Sequence, residues 1–418
     1  MLFLSILKNV GWVISFVLAG YSFYFAIISI FSLIPSKKRQ QHEAKTKFAA
    51  VIAARNEGLV IGNLIESIKL QNYPKDLIDI IVIPNNCTDD TEEVSIQSGA
   101  KIFKCKGIIK SKGEALSEFF DDILHTENDY DAFCIFDADN LVHGDFFSQM
   151  NNAVCDGAKI GQGYRDSKNP RDSIISSCYS IYYYIVNRFH NRARSAMKLS
   201  AMINGSGFMV KKEIIEQHNG WHTKSMTEDI EFTTLNILKG NKVEWVPEAV
   251  IFDEQPLTFE ESWKQRKRWS TGLIQCSELY SGKLFKNFFK NKNFSNLDMV
   301  MFFISPVIQV IYFISLIITL VLNVFYINPE YFPTTDAFFK MFLSIQFSFL
   351  VSFSTALIVV LLEKKRHMLK GIVAFWFFLF TWLPINLICI FKKQTVWTEI
   401  KHTRVMKIDD VSVRYEEV

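Results

Sequence analysis

Ala132-Phe133-Cys134-Ile135-Phe136-Asp137-Ala138-Asp139 is the stretch whose reading decides the fold. A short apolar run that stops at an acid reads as a buried strand with Asp137 at its C-terminal end. Three runs upstream read the same way. Phe48 to Ala54 ends at Arg55-Asn56-Glu57, Asp79 to Ile83 ends at Pro84-Asn85-Asn86, and Lys101-Ile102-Phe103 follows. Between them, Val60, Leu64, Ile65 and Ile68 have helical spacing, and Thr91 to Ser98 reads as a helix stopped by Gly99. Alternating strands and helices imply a wound, mostly parallel α/β sheet. Ligands of such sheets sit beyond the C-terminal strand ends. The loops at Arg55, Asn85 and Asp137 are therefore expected to face one crevice, which suits a nucleotide.

Three motifs carry chemistry. Residues i and i+2 of an extended chain project to one side, so Asp137 and Asp139 converge. Paired hard oxygens suit Mg²⁺ or Mn²⁺, and such a cation bridges phosphate oxygens. Two acids in a plain surface loop do none of this; the place after a buried strand favours the metal. Thr227-Glu228-Asp229 precedes Ile230-Glu231-Phe232, which opens a helix. Thr and acids suit a helix start as simple caps. The functional reading makes Asp229 a base for an acceptor hydroxyl, held rigidly there. In Gln265-Arg266-Lys267-Arg268-Trp269, the first, fourth and fifth residues share a helical face. Arg268 can fork onto a phosphate. Trp269 offers a flat face to a sugar ring. Arg266 and Lys267 are candidates for contact with anionic lipid. Gly205-Ser206-Gly207 reads as a close backbone approach to a ligand, or as a plain turn. The Tyr-rich segment Ile174 to Val186 is too short to span a membrane. It reads as a buried helix or as a surface lining the acceptor.

The chain has 418 residues, 49% hydrophobic and 14% aromatic, with 38 Phe. That is rich for a soluble protein and fits a mixed soluble and membrane architecture. A polar block of about 240 residues can bury its own core without disulfides. The net charge of +3 leaves no nucleic-acid footprint. The seven Cys form no C-x-x-C pair and the eight His show no zinc spacing. Reduced cysteines and no zinc site are expected.

Val10 to Ile34 reads as a retained transmembrane helix. Lys37, Lys38 and Arg39 follow it, which puts the N-terminus outside and the polar block in the cytoplasm. Three further apolar runs are Met299 to Phe325, Met341 to Leu362 and Ile372 to Phe391. Tyr326 to Asp336 has no Lys or Arg and is expected outside, whereas the basic loop Glu363 to Lys370 is expected inside. If the last run crosses, the basic tail from Lys392 lies outside, against the charge rule. Pro384 marks a break in that run. A re-entrant element returns the tail to the cytoplasm, which is the expectation taken. Lys283 to Phe294 interleaves cations with Phe and reads as interfacial. The expected layout is an anchor with basic flank (1–40), a catalytic domain (41–280), an interfacial segment (281–298), about three membrane helices (299–391) and a polar tail (392–418).

Ala54-Arg55-Asn56-Glu57, Asn86-Cys87-Thr88-Asp89-Asp90-Thr91, Lys112-Gly113, Asp137-Ala138-Asp139, Gly220-Trp221, Thr227-Glu228-Asp229 and Gln265 to Trp269 follow one another in that order. With the flanking membrane runs, they resemble the membrane-embedded family 2 glycosyltransferases. That group includes cellulose, hyaluronan and poly-N-acetylglucosamine synthases. The resemblance spans roughly residues 48 to 275. It implies a Rossmann-like α/β GT-A fold in the cytosol, joined to transmembrane α-helices. It implies inverting, metal-dependent transfer from a nucleotide sugar, usually a UDP-sugar. Asp137 and Asp139 are then expected to hold Mg²⁺ or Mn²⁺, and Asp229 to be the catalytic base. Ala54, Asn56, Glu57, Asn85, Lys112, Asp137, Gln265 and Arg268 are expected around the donor. Gly205, Glu228 and Trp269 are expected towards the acceptor.

The family commonly has an acid where this chain has Asn85; an Asn still accepts from a uracil N–H. The chain has one N-terminal span where many polymer synthases have two. Trp397-Thr398 and Thr403-Arg404 resemble a cytoplasmic tail motif of some relatives. Expected partners are a UDP-sugar, a saccharide or lipid acceptor, and membrane lipid. The expected product is a β-linked polysaccharide of glucose or N-acetylglucosamine type, threaded between the C-terminal helices at the plasma membrane. Single-sugar transfer to a lipid is the alternative, since the Gln-x-x-Arg-Trp motif also occurs in ceramide glucosyltransferase. A non-catalytic membrane scaffold is a third reading.

Overall fold

The computed structural model describes residues 2–36, 38–325, 334–365, 368–392, 402 and 404–411. An apolar helix, α1 (Leu2–Ile30), leads into an α/β layer. Its strands are β1 (Phe48–Ala54), β2 (Ile78–Pro84), β3 (Lys101–Ile102), β4 (Ala132–Asp137), β5 (Leu141–Val142), β6 (Ile160–Ser167), β7 (Phe208–Lys211) and β8 (Glu244–Asp253). Among them run α2 (Gly58–Lys69), α3 (Thr91–Gln97), α4 (Lys112–His125), α5 (Phe146–Cys155), α6 (Ile174–Ile185), α7 (Ala193–Ala196), α8 (Lys212–His218) and α9 (Glu228–Leu238). The sheet order is β3-β2-β1-β4-β7-β6-β8-β5. β3, β2, β1 and β4 are parallel, as is the β6–β8 pair. β7 is antiparallel to β4 and β6, and β5 to β8. The four parallel strands are those read from the sequence. The other half was not legible, because Ile160-Gly161-Gln162-Gly163 mixes Gly and polar residues within a buried strand.

The unbroken apolar runs of β1 and β4 fit a sheet covered on both faces. The pleat sends Phe48, Ala50, Ile52 and Ala54, with Cys134 and Phe136, into the core under α2 and α5. Ala49, Val51, Phe133 and Ile135 face the other way, against Phe119, Phe120 and Trp221. Burying each large apolar side chain contributes about 1.5–3 kcal/mol. Alternation then leaves Ala53 and Asp137, which pair in register, on the second face at the strand ends.

Beyond the sheet come α10 (Phe259–Asn291), α11 (Phe294–Phe303), α12 (Ser305–Phe325), α13 (Thr334–Leu362), α14 (Leu369–Phe380) and α15 (Trp382–Phe391). Thr258 and Glu261 form a capping box that starts α10. Its far end exposes Phe285 and Phe289 among the lysines of the expected interfacial segment. Among the described residues, four stretches are long and apolar enough to cross a membrane: Ser5–Leu33, Ser305–Leu322, Ile345–Leu362 and Leu369–Phe391. The run expected from Met299 is two helices, parted at Ile304.

The last stretch is also two helices, of 12 and 10 residues. At about 1.5 Å per residue, neither alone spans a hydrocarbon core of about 30 Å. The break falls at Thr381, and Pro384 sits in the first turn of α15, where a missing N–H costs little. Arg266 holds the break: its Nη1 donates to the Phe378 carbonyl at 2.8 Å and to Thr381 Oγ1 at 2.7 Å. This corrects the expectation that Arg266 touches lipid, since it is 0% exposed and its guanidinium lies 4.4 Å from the Phe378 ring.

Both flanks of α14–α15 dock on the α/β layer. Glu363 pairs with Arg188 at 2.9 Å, and Lys365 with Asp166 at 3.1 Å. Met406 and Val411 bury against Leu141 and Phe252. The tail therefore lies on the same side as the α/β layer, as a re-entrant element requires. Residues 326–333 of the expected outer loop lie outside the described residues, as do Arg366, His367, Trp397, Thr398 and Thr403.

Candidate active site

One cavity of about 540 Å³ opens at the C-terminal ends of β1, β2 and β4 and continues between the helices of the apolar half. Its lining includes Glu57, Asn85, Lys112, Asp137, Asp139, Gly205, Glu228, Asp229, Gln265, Arg268 and Trp269. The three motifs, distant in sequence, thus share one space. Two expected residues do not line it. Ala54 is in the core on the opposite face of the pleat, and its neighbours Ala53 and Arg55 line the cavity instead. Asn56 takes the left-handed conformation (φ 54°), and its Oδ1 accepts from the Thr88 N–H at 2.8 Å. It builds the turn and does not face the space.

At the sheet end, Arg55 Nε donates to Asn85 Oδ1 at 2.8 Å. One lone pair of the Asn85 side-chain oxygen is thus already used. Lys112, the first residue of α4, donates to Asp137 Oδ1 at 2.5 Å and to the Gly205 carbonyl at 2.8 Å. Burial alone would raise the Asp137 carboxyl, but Lys112, then Arg165 and Arg268, hold it below its usual value. Gly205 (φ +83°) passes close to the acids; a Cβ there would lie 3.7 Å from Asp229 Oδ2 and 3.9 Å from Asp137 Oδ2.

Carboxylate oxygens of Asp137, Asp139 and Asp253 lie within 4.8 Å of one another. Asp253 is already engaged. It pairs with Arg165 and accepts from Asn140 Nδ2 at 2.8 Å and Gln255 Nε2 at 3.0 Å. Asp139 is 3% exposed and accepts the Glu254 N–H at 3.1 Å. The donor set fits one divalent cation held by Asp137 and Asp139, with Asp253 as the fixed wall behind them. Sequence reading missed Asp253 and Arg165, which meet only because β6 and β8 pair.

Glu228 and Asp229 open α9. Thr227 precedes them, but its side chain makes no cap bond; it touches Cys276 of α10 instead. Burial, then the charge of Glu228, pushes the Asp229 carboxyl up to about 7. The loop before it is held by Glu231, which accepts from the N–H groups of Lys224 at 2.7 Å and Ser225 at 2.6 Å. Tyr280 O–H donates to the same carboxylate at 2.5 Å.

From α10, Gln265 turns a buried Oε1 into the cavity with no partner among the described residues. Arg268 has no ion pair among the described residues and lies close enough to Asp137 to lower its pKa. Trp269 stacks on Tyr182 at 5.9 Å, and both stack on Trp382, at 6.3 and 6.1 Å. The segment Ile174 to Val186 is thus a buried helix that also lines the cavity, through Tyr182, Tyr183 and Val186. Deeper in lie Gln309, Ser348, Ser352, Trp376 and Asn386.

His402 enters from the tail. Its Nδ1 lies 2.8 Å from Glu57 Oε1, and its Nε2 lies 3.9 Å from Asp139 Oδ2. Burial would lower its pKa, but Asp139 and the bond to Glu57 outweigh that and push it up to about 10. The sequence held no signal for this contact beyond the neighbouring Thr403-Arg404.

A sequence profile of the glycosyl transferase family group 2 matches residues 132–391, more than half of the chain. A probable glycosyltransferase, YdaM, of Bacillus subtilis is 27% identical over 384 residues, 88% of this chain and 86% of that protein. The poly-β-1,6-N-acetyl-D-glucosamine synthase of Staphylococcus epidermidis is 25% identical over 283 residues, 65% of this chain and 64% of that protein. A β-monoglucosyldiacylglycerol synthase of Nostoc is 22% identical over 280 residues, 65% of this chain and 58% of that protein. The chain spans less than two thirds of the length of these last two. Among solved structures, the mannosyltransferase PcManGT from Pyrobaculum calidifontis, in complex with GDP-Man and Mn²⁺, superposes with a TM-score of 0.61 at 15% identity. The match covers 91% of this chain and 99% of that one, a likeness of fold of the GT-A type. The chain belongs to glycosyl transferase family group 2, and it is a glycosyltransferase.

Proposed function

We propose that the protein transfers a hexose from a UDP-sugar, with inversion, to a growing β-linked polysaccharide at the plasma membrane. In this reading the catalytic domain is cytoplasmic and the N-terminus lies outside. The observation that carries it is the single cavity running from Asn85, past Asp139 and Asp229, to Trp269, Trp382 and Trp376 among membrane-length helices. The donor takes the sheet end and the acceptor the tryptophan end, with a carboxylate between them.

Lys112, Gln265 and Arg268 hold the diphosphate, and Asn85 meets the base. Asp137 and Asp139 would hold Mg²⁺ or Mn²⁺, whose positive charge would offset that of the departing diphosphate. Asp229 takes the acceptor hydroxyl proton as that oxygen bonds the anomeric carbon. The bond to the UDP oxygen breaks, and UDP leaves with its electron pair. Glu228 raises the basicity of Asp229 and faces the acceptor, and Gly205 gives the sugar room beside both acids. The tryptophan and tyrosine stack offers a flat wall to a pyranose ring. Polar groups such as Gln309, Asn386, Ser348 and Ser352 are costly on helices in lipid. They suit a hydroxyl-rich chain passing between α12, α13 and α15. The polysaccharide-forming relative supports an N-acetylglucosamine type of sugar.

Single transfer to a lipid headgroup is the second reading. It is favoured by Pro306, Leu379, Phe380 and Leu383 in the same wall, and by the glucosyl-lipid relative. Detergent-purified protein given a mixture of UDP-sugars and Mn²⁺ is expected to release UDP and build a product that resists organic extraction. One extractable glycolipid selects the second reading. No transfer from any nucleotide sugar by the folded, metal-loaded protein overturns both.

A further inference from the structure

We infer that Asn85 reads the base of the sugar donor through its amide Nδ2, which donates to a ring carbonyl, and so selects keto bases over amino bases. This deepens the reading that the nucleotide occupies the sheet end of the cavity, and it rests on that reading.

The polarity of Asn85 is set by its neighbour. Arg55 Nε–H donates to Asn85 Oδ1 at 2.8 Å and to the Asn85 carbonyl at 3.2 Å. A guanidinium only donates, so the amide atom that faces it must be the oxygen. Turning the amide over would set N–H against N–H. Nδ2 is therefore the atom directed away from Arg55, and it donates to no group among the described residues. Asn85 is 6% exposed and lines the cavity, so its N–H groups are left for a ligand. An acid in this place, paired with the same arginine, would turn an acceptor oxygen outwards and suit the N3–H of uracil. Asn85 turns a donor outwards, which reverses the acceptor role expected from the sequence.

The surroundings hold this arrangement rigidly. The Asn85 N–H donates to the Ala54 carbonyl at 2.9 Å, which extends the β1–β2 ladder by one residue. Arg55 Nη2 donates to the Ile109 carbonyl at 2.6 Å, and Asn86 Nδ2 donates to the same oxygen at 2.6 Å. Both lone pairs of that carbonyl are then used, so it offers no acceptor to a base.

The topology names the edge of the base that Asn85 meets. β2 stands two strands from β4 in the sheet, about 10 Å away. With the diphosphate beside Lys112 and Asp137, the base reaches Asn85 with the edge farthest from its ribose. In uracil that edge carries O4, and in guanine O6; cytosine and adenine carry an amine there. An amine facing Nδ2 leaves two donors unpaired in a buried place.

The test is calorimetric titration of the full-length protein in detergent with Mn²⁺, using UDP, CDP, GDP and ADP. The wild type is expected to bind UDP about 10- to 100-fold more tightly than CDP. GDP bound more tightly than UDP, and by the same margin over ADP, supports the carbonyl contact and names guanine as the base. Asn85→Ala is expected to bring the keto-to-amino ratio close to one. Asn85→Asp is expected to invert it, because its outward oxygen accepts from the cytosine or adenine amine. Circular dichroism checks that both variants are folded. Equal binding of keto and amino nucleotides by the wild type overturns the inference and leaves the nucleotide reading intact. A keto preference that persists in Asn85→Ala, or that Asn85→Asp keeps or strengthens, does the same. No binding of any of the four by the folded, Mn²⁺-loaded protein overturns the nucleotide reading as well.

Discussion

With Asp229 as the proposed base, its environment sets a pH dependence. Its carboxyl is pushed up to about 7 by burial, then by Glu228. A base accepts only when deprotonated, so kcat/KM is expected to rise as pH climbs through about 7 and to level above it. A profile that stays flat from acid to alkaline pH would remove Asp229 from that role. Asp229→Asn is expected to lower transfer by about 10²–10⁴-fold, while calorimetry shows UDP still bound; UDP release that persists at the wild-type rate sinks the base assignment. The neighbouring lesson concerns Ala54. The motif is contiguous in sequence, yet the pleat turns Ala53 to the cavity and Ala54 to the core. A string of letters does not say which face a residue takes until the register of β1 against β4 is known.

At the scale of elements, α10 is the part that joins both halves. It touches the loop before α9 at Gly272, where a Cβ would lie 2.4 Å from Thr227 Oγ1 and 2.8 Å from its nitrogen. Gly272→Ala must push Thr227, and with it Asp229 two residues on. A displacement of about 1 Å at a reacting group costs about 100-fold in rate. A kcat loss of that order is expected with the circular dichroism spectrum unchanged; unchanged kcat would mean the loop yields freely. On the same helix, Arg266 satisfies the Phe378 carbonyl freed at the α14–α15 break. Arg266→Met removes the charged donor to that carbonyl and to Thr381 Oγ1, leaving the carbonyl only the Thr381 hydroxyl at 2.8 Å, a cost of about 1–3 kcal/mol. A fall of several degrees in Tm in detergent is expected, and an unchanged Tm removes Arg266 as the brace. The arginine was legible as part of a basic motif. Its burial was not, because nothing local marks residue 378 as its partner.

At the scale of the molecule, the loop after α13 and the tail after α15 both dock on the α/β layer. If α1, α12 and α13 cross the membrane, the chain returns to the side of the α/β layer without a crossing by α14–α15. Val405 is 60% exposed beside the buried Met406, which makes it a reporter. In a Val405→Cys protein, a membrane-impermeant maleimide is expected to react in inverted vesicles and not in intact cells. Reaction in intact cells would put the tail outside and overturn the re-entrant reading.

Local sequence was enough for what local physics controls. Apolar runs closed by acids or turn residues marked β1 to β4, membrane-length runs marked the helices, and the ordered acids and Gln-x-x-Arg-Trp marked the family. Tertiary structure alone decided the rest. Arg165 finds Asp253 only across the β6–β8 pair, Tyr182 joins Trp269 and Trp382 only where three helices meet, and His402 reaches Glu57 only through the return of the tail. The reason is physical: periodicity and propensity act over a few residues, whereas the position of a side chain in a shared cavity depends on packing between segments far apart in the chain.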